Sequence, residues 1–162
     1  MIKILNADNR LLLAPYYPYQ TKQRSTKHYR ATLGIGGNIG DVPRRFQHLF
    51  WYLRRSPWID VVETSPILRN PPFGYLEQDD FYNAIVVVKT CLRPKALLRY
   101  ILAIEKRFGR KRLFQDGPRT LDIDIIFYGS EVVNSEQLTI PHPAWHTRSS
   151  VLIPLSYMKS KN

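Results

Sequence analysis

The chain has 162 residues, 44% of them hydrophobic, which suits one globular domain with its own core and excludes a disordered segment. It carries 24 Lys and Arg against 13 Asp and Glu, a net charge of +11 that calls for an anionic partner, either nucleic acid or a phosphorylated small molecule. Cys91 is the only cysteine, so no intrachain disulfide can form, and no apolar run reaches membrane-spanning length. With no signal-peptide pattern around Leu11–Ala14, the expected location is the cytoplasm, with Cys91 as inert packing.

Residues 1–28 read as an N-terminal extension or arm: Ile2–Ile4 and Leu11–Leu13 suggest a hairpin around Asp8-Asn9, and Tyr16, Tyr17 and Tyr19 suit packing on the domain. Residues 29–162 hold the domain proper. Ala31 to Ile35 predicts a strand that runs into the glycine-rich Gly34-Ile35-Gly36-Gly37-Asn38-Ile39-Gly40-Asp41. Asp41 is a good helix N-cap, and Phe46, Leu49, Phe50 and Leu53 recur at helical spacing up to Ser56-Pro57. Trp58 to Thr64 predicts a second strand, Ser65 to Asp79 a Pro- and Gly-containing loop, and Phe81 to Lys89 a third strand. Pro94 opens a second helix with an apolar stripe from Leu97 to Ile104, closed by Gly109. A basic loop, Arg110 to Arg119, leads into a fourth strand ending at Tyr128. The order β-α-β-β-α-β implies an α+β, ferredoxin-like fold: an antiparallel sheet with helices on one face, a short C-terminal extension, and the opposite face free for a site.

That fourth strand, Leu121-Asp122-Ile123-Asp124-Ile125, is the most informative segment. Residues i and i+2 share a strand face, so Asp122 and Asp124 project side by side while their apolar neighbours point into a core. Asp is a poor strand former, and two adjacent carboxylates repel unless a cation lies between them. The pair alone is balanced between a Mg²⁺ site and an acidic edge strand. Arg110, Lys111, Arg112 and Arg119 tip it toward metal plus phosphate, since arginine forks match phosphate oxygens. The glycine-rich segment lacks both the dinucleotide fingerprint and Gly-Lys-Ser/Thr, and reads first as a tight turn. Phe81 and Asn83 share a strand face and would stack and read a planar heterocycle, although an isolated Phe is more often core. His142, in a Pro-flanked turn, is by itself more often structural.

Taken together, these segments resemble 6-hydroxymethyl-7,8-dihydropterin pyrophosphokinase of folate biosynthesis, over about Ala31 to Leu155. The match rests on the Leu33–Asp41 turn, Pro71-Pro72-Phe73-Gly74, Phe81-x-Asn83, Gly109-Arg110, Gly117-Pro118-Arg119-Thr120-Leu121-Asp122-Ile123-Asp124 and Leu138-Thr139-Ile140-Pro141-His142. The resemblance implies transfer of pyrophosphate from ATP to the hydroxymethyl oxygen of the pterin, with AMP leaving. It implies two Mg²⁺ ions at Asp122 and Asp124, with Arg110 and Arg119 as the catalytic cations. ATP would meet Leu98, Glu105, Arg110, Arg112, Arg119, Leu138, Thr139, His142 and Arg148; the pterin would meet Asn70, Pro71, Phe73, Phe81 and Asn83. The implied partners are small molecules only, with no nucleic acid and no membrane, and the protein a monomer.

Two positions depart from the family pattern. Asp116 stands where many relatives have Trp, and Ser150 stands where a second pterin-stacking aromatic is usual; Trp145 or another ring could replace it. The competing readings are an RNA-binding module, which the fold layout allows but for which the aromatic RNA-binding motif is lacking, and a catalytically inactive relative.

Overall fold

Period-two and helical patterns resolve into the following elements in the computed structural model, which describes residues 1–110 and 114–160. They are β1 (Ile2–Ile4), β2 (Arg10–Leu12), β3 (Tyr19–Gln20), β4 (Tyr29–Gly37), α1 (Val42–Arg54), β5 (Ile59–Thr64), β6 (Ile67–Asn70), β7 (Phe81–Thr90), α2 (Pro94–Arg107), β8 (Asp122–Tyr128), β9 (Val133–Asn134), β10 (Thr139–Ile140) and α3 (Ser149–Ser156). The architecture is α+β with an antiparallel open sheet. β4 lies at its centre, paired with β7 on one side and β8 on the other. β5 and β6 lie end to end along the far edge of β7.

The Ser65–Asp79 loop expected from sequence therefore contains a strand. Pro66 breaks the β5–β6 edge, and Ser65 repairs it. Its N–H donates to Ile85 O at 2.9 Å, and its Oγ accepts from Ile85 N–H at 2.8 Å. A hydroxyl thus fills the ladder position that a proline-interrupted edge leaves open.

α1 begins where the Asp41 carboxylate accepts the Arg44 N–H at 3.2 Å, and Pro43 suits its first turn. Its buried stripe (Phe46, Leu49, Phe50, Leu53) and that of α2 (Leu97, Ile101, Ile104) pack in one cluster with Leu33, Ile35, Val86, Val88, Ile123 and Ile125. Both helices therefore cover the same sheet face. α2 closes with Gly109 N–H on Lys106 O and Arg110 N–H on Glu105 O, the paired bonds that turn a chain sharply off a helix. That turn points Arg110 back toward the sheet.

The opposite face is not free along its whole length, as the sequence suggested. α3 and the segment after it cover one end, where Val151 buries with Ile85, Val87 and Ile126, and Trp145, Leu155 and Met158 pack around them. Two bulges make this second layer possible. Between Thr32 and Leu33 the register with β8 shifts, which leaves Ile126 as the extra residue; Ile126 follows Asp122 and Asp124 to this face by alternation, and the bulge brings Phe127 to it as well and returns Tyr128 to the helix-side core. Between Val61 and Glu63 the register with β7 shifts likewise. Glu63, buried at 3% exposure, then accepts the Lys159 and Ser160 N–H groups at 2.7 Å each. Strict alternation would have driven that carboxylate into the helix-side core.

The first 28 residues extend the sheet and brace α1. β1 and β2 form the expected hairpin, which continues the sheet through β6, and β3 pairs with β5. Tyr17 is fully buried; its hydroxyl donates to Phe46 O at 2.8 Å, and burial pushes the phenol pKa upward. Phe50 stacks on Tyr16 at 4.5 Å and meets Tyr19 edge-on at 4.9 Å. Cys91, expected as packing, is exposed just beyond β7. Among the described residues no helix is long and apolar enough to cross a membrane.

Phe50→Ala empties the centre of this aromatic group and is expected to cost about 3–5 kcal/mol in urea unfolding. Limited proteolysis of the same variant should cut first between residues 13 and 20, which lose their anchor.

Candidate active site

The uncovered end of the second sheet face is a bed with a bare centre. β7 supplies Asn83, β4 supplies Gly36 opposite it, and β8 supplies Asp122 opposite Gly36. One register step along, Gly34 pairs with Asp124. Ile123 and Ile125 lie in the helix-side core, so the alternation of β8 sends Asp122 and Asp124 to the open face together. Between the Asn83 amide and the carboxylates lies only glycine backbone. A Cβ on Gly36 would come within 2.6 Å of Asn83 Oδ1, so any side chain there would displace the amide. The Asn83 Nδ2 donates to Asn70 Oδ1 at 2.7 Å, which orients both amides.

A cavity of about 400 Å³ stands on this bed, within the usual range for a small-molecule site. Of the residues singled out from sequence it is lined by Asn70, Phe73, Phe81, Asn83, Leu98 and Glu105, and across from them by Arg110, Arg119, Asp122, Asp124, His142 and Arg148. Three others lie apart from it: Pro71 is an exposed residue just beyond β6, Thr139 is exposed on β10, and Leu138 is buried in the main core. Arg112 falls outside the described residues.

Arg119 Nη1 donates to Asp122 Oδ2 at 2.6 Å, and its guanidinium lies 5.5 Å from the Phe81 ring centre. Arg110 Nε stands 3.7 Å from Glu105 Oε2. Glu105 is 3% exposed, and its carboxyl is pushed up to about 7, chiefly by burial; Arg110 opposes the shift, while Asp122 and Asp124 add to it. His142 is held below its ordinary value by burial, against the pull of the Asp124 carboxylate. Its Nδ1 accepts the Ala144 N–H at 3.1 Å, which leaves Nε2 to carry the proton of the neutral ring.

Among the described residues no group of three or more His, Cys, Asp and Glu is arranged to hold a metal. The chain therefore offers a carboxylate pair. Hard oxygen donors of that number suit Mg²⁺, which takes one or two carboxylates and completes its shell with water and substrate phosphates. Arg110, Arg119 and Arg148 on the cavity wall supply the positive rim that a polyphosphate needs.

Trp145 does not replace the missing ring at Ser150. It packs edge-on against Phe127 at 4.9 Å in the second core cluster, whereas Ser150 lines the cavity. The exposed ring on the wall is Phe73. Sequence reading also passed over Asn38, Gln78 and Tyr75. Asn38 is 5% exposed, with its amide hydrogen-bonded on both sides. Its only sequence signal was an Asn inside a glycine-rich turn. Gln78 donates to Tyr75 O and Asp116 O at 2.7 Å each, and Tyr75 stacks on Phe114 at 5.1 Å.

Residues 32–160 match the family described as 7,8-dihydro-6-hydroxymethylpterin-pyrophosphokinase. The chain is similar to the 2-amino-4-hydroxy-6-hydroxymethyldihydropteridine pyrophosphokinase of Helicobacter pylori, 40% identical over 90% of this chain and 91% of the relative. The protein of the same name from Synechocystis is 41% identical over 89% of this chain and 72% of the relative. A folic acid synthesis protein of Dictyostelium discoideum is 40% identical over 76% of this chain but only 19% of its own length.

Glu105 gives a pH signature. In the folded chain its carboxyl keeps the proton up to about 7, against 4.5 ordinarily, so its contribution to stability is present below the lower value and is lost as pH rises through the upper one. Gln does not titrate. In magnesium-free buffer, Glu105→Gln should gain in urea midpoint relative to the parent between about pH 5 and pH 8.

Proposed function

Because the chain belongs to the 7,8-dihydro-6-hydroxymethylpterin-pyrophosphokinase family and is an ATP-dependent pyrophosphokinase of folate biosynthesis, we propose that the cavity on β4, β7 and β8 is where the transfer occurs. On this reading the pterin lies against Phe81, with Asn70 and Asn83 reading its edge and Phe73 closing the rim, and Pro71 is assigned to the pterin side on its place in the family motif. The triphosphate lies toward Asp122 and Asp124. The observation that carries the reading is the row Asn83–Gly36–Asp122. It sets a hydrogen-bonding amide and a carboxylate on either side of a floor low enough to admit a flat ring.

The hydroxymethyl oxygen attacks the β-phosphorus of ATP. A new O–P bond forms, the bridge between α- and β-phosphorus breaks, and AMP leaves with the bridging oxygen while the hydroxyl proton is released. Such transfers depend on positioning and charge neutralisation rather than covalent help. Two Mg²⁺ ions, held by Asp122 and Asp124, would neutralise phosphate charge when bound. Arg110 and Arg119 hold the phosphate oxygens as charge shifts toward the leaving group. Arg119 is engaged with Asp122 and lies over Phe81, so substrate and phosphate would draw it off both. His142 donates from Nε2, Arg148 adds charge, and Leu98 with Glu105 backs the nucleotide. We also assign Arg112, Leu138 and Thr139 to the nucleotide side, on their place in the family motifs.

The pairing order β8–β4–β7–β5, with both helices on one face, supports the ferredoxin-like assignment. We assign residues 29–162 to the catalytic domain and residues 1–28 to an extension that braces α1. We assign the protein as a cytoplasmic monomer acting on small molecules rather than on nucleic acid, as the family resemblance implies.

Incubated with ATP, Mg²⁺ and hydroxymethyldihydropterin, the protein should release AMP, not ADP, and only when the pterin is present. Asp122→Asn and Asp124→Asn should each lower the rate by at least about 10³-fold, roughly 4 kcal/mol, with unchanged circular dichroism. Parent-like turnover in either variant would remove the metal assignment. Gly36→Ala should raise KM for the pterin by about tenfold or more while leaving KM for ATP near the parent value.

A further inference from the structure

The loop that carries Arg119 and the loop that carries the pterin-side residues are held by one pair of amides. Asn38 donates its backbone N–H to Arg119 O at 3.0 Å and accepts the Arg119 N–H on Oδ1 at 2.9 Å, a two-way grip on that one residue. The turn lies so close that a Cβ on the preceding Gly37 would meet Thr120 O at 2.6 Å. The other side of the Asn38 amide faces the second loop. Its Nδ2 donates to Gln78 Oε1 and to Asp79 O, both at 2.9 Å. Gln78 passes the connection on: its Nε2 donates to Tyr75 O in its own loop and to Asp116 O, three residues before Arg119, at 2.7 Å each. Every donor and acceptor of the Asn38 side chain is thus spent on linking the two loops, and Asn38 is 5% exposed. A second contact runs parallel to this, the Tyr75 ring stacked on Phe114.

We propose that Asn38 and Gln78 form a positioning hub that fixes the Arg119 backbone over the Asp pair and couples it to the loop lying over the pterin-side residues. This rests on the reading of the cavity given above. Neither residue lines the cavity. They act through Arg119 and through the 71–79 loop. The amide of Asn38 is the junction because only a group with both an acceptor and two donors can satisfy both loops from one buried position. Asp116 contributes its carbonyl oxygen to the link, and its side chain also lies against the second loop, where a Cβ on Gly74 would come within 3.0 Å of it.

The expected kinetic signature is split between the two residues. Asn38→Ala releases Arg119 and should lower kcat by about 10²-fold, with KM for ATP changed by less than about threefold, since a small misplacement of a charge acting at the transition state costs rate rather than binding. Gln78→Ala leaves the Asn38–Arg119 grip intact and frees the pterin-side loop, so it should raise KM for the pterin by about tenfold with a much smaller change in kcat. A thermal midpoint for each variant separates these effects from loss of fold, which would lower active enzyme without this split. Backbone ¹⁵N relaxation of the full-length protein, without substrate, tests the coupling independently of turnover. Gln78→Ala should increase fast motion in both residues 71–79 and residues 114–119. Relaxation changes confined to one loop, or an Asn38→Ala kcat within about threefold of the parent, would overturn the hub. If the parent itself formed no AMP, the functional reading would fall, and the relaxation result would still decide the hub.

Discussion

Everything in this site depends on the absence of side chains along one line of the central strand. β4 is flanked by β7 and β8, and on its open face it presents Gly34 and Gly36 where its neighbours present Asn83, Asp122 and Asp124. A sheet face is normally filled by the side chains of every strand, and a ligand then meets a layer of Cβ atoms. Here the central strand contributes backbone alone, so the flanking groups stand as walls and a flat ligand can reach the floor. The same constraint explains the tightness of the contacts around it, since the Asn83 amide already occupies the space a Gly36 Cβ would need.

The electrostatics of the site follow from that crowding. Asp122, Asp124 and Glu105 gather at one end, with Arg110 and Arg119 set against them and His142 and Arg148 close by. Arg119 engages Asp122 directly, while Glu105, more deeply buried, responds by holding its proton to higher pH. A cluster so arranged is prepared for the arrival of both cations and phosphate, because each would replace an interaction already present rather than create charge in an apolar setting.

The rest of the fold keeps this end of the sheet open while closing the other. Alternation carries Ile126 to the same face as Asp124, and the bulge on β8 adds Phe127 beside it in the second core layer, so one strand serves ligand at its start and α3 farther along. The bulge on β5 lets Glu63 tie down the C-terminal segment that covers that second layer. On the helix side, three tyrosines of the first 19 residues enclose Phe50 and give the N-terminal segment a place in the core.

Local pattern was enough to reveal the central β-α-β-β-α-β order, the shared face of Asp122 and Asp124, the capped start of α1 and most residues of the cavity wall. Each of these is set within a few residues by alternation, helical spacing or turn chemistry, and can be read without knowing the chain's path. The family resemblance extended the reading to Glu105, His142 and Arg148, which pattern alone would have left as core or turn. What only the tertiary structure decided were relations between distant segments. These include β6 hidden inside an apparent loop, the second core layer under α3, Trp145 packed away from the site, and Asn38 joined to Gln78 and Arg119. They depend on register, on bulges that reverse the alternation, and on hydrogen bonds between residues forty to eighty positions apart. Such contacts leave no periodic trace in a sequence, because their partners are chosen by where the sheet brings them and not by what stands beside them in the chain.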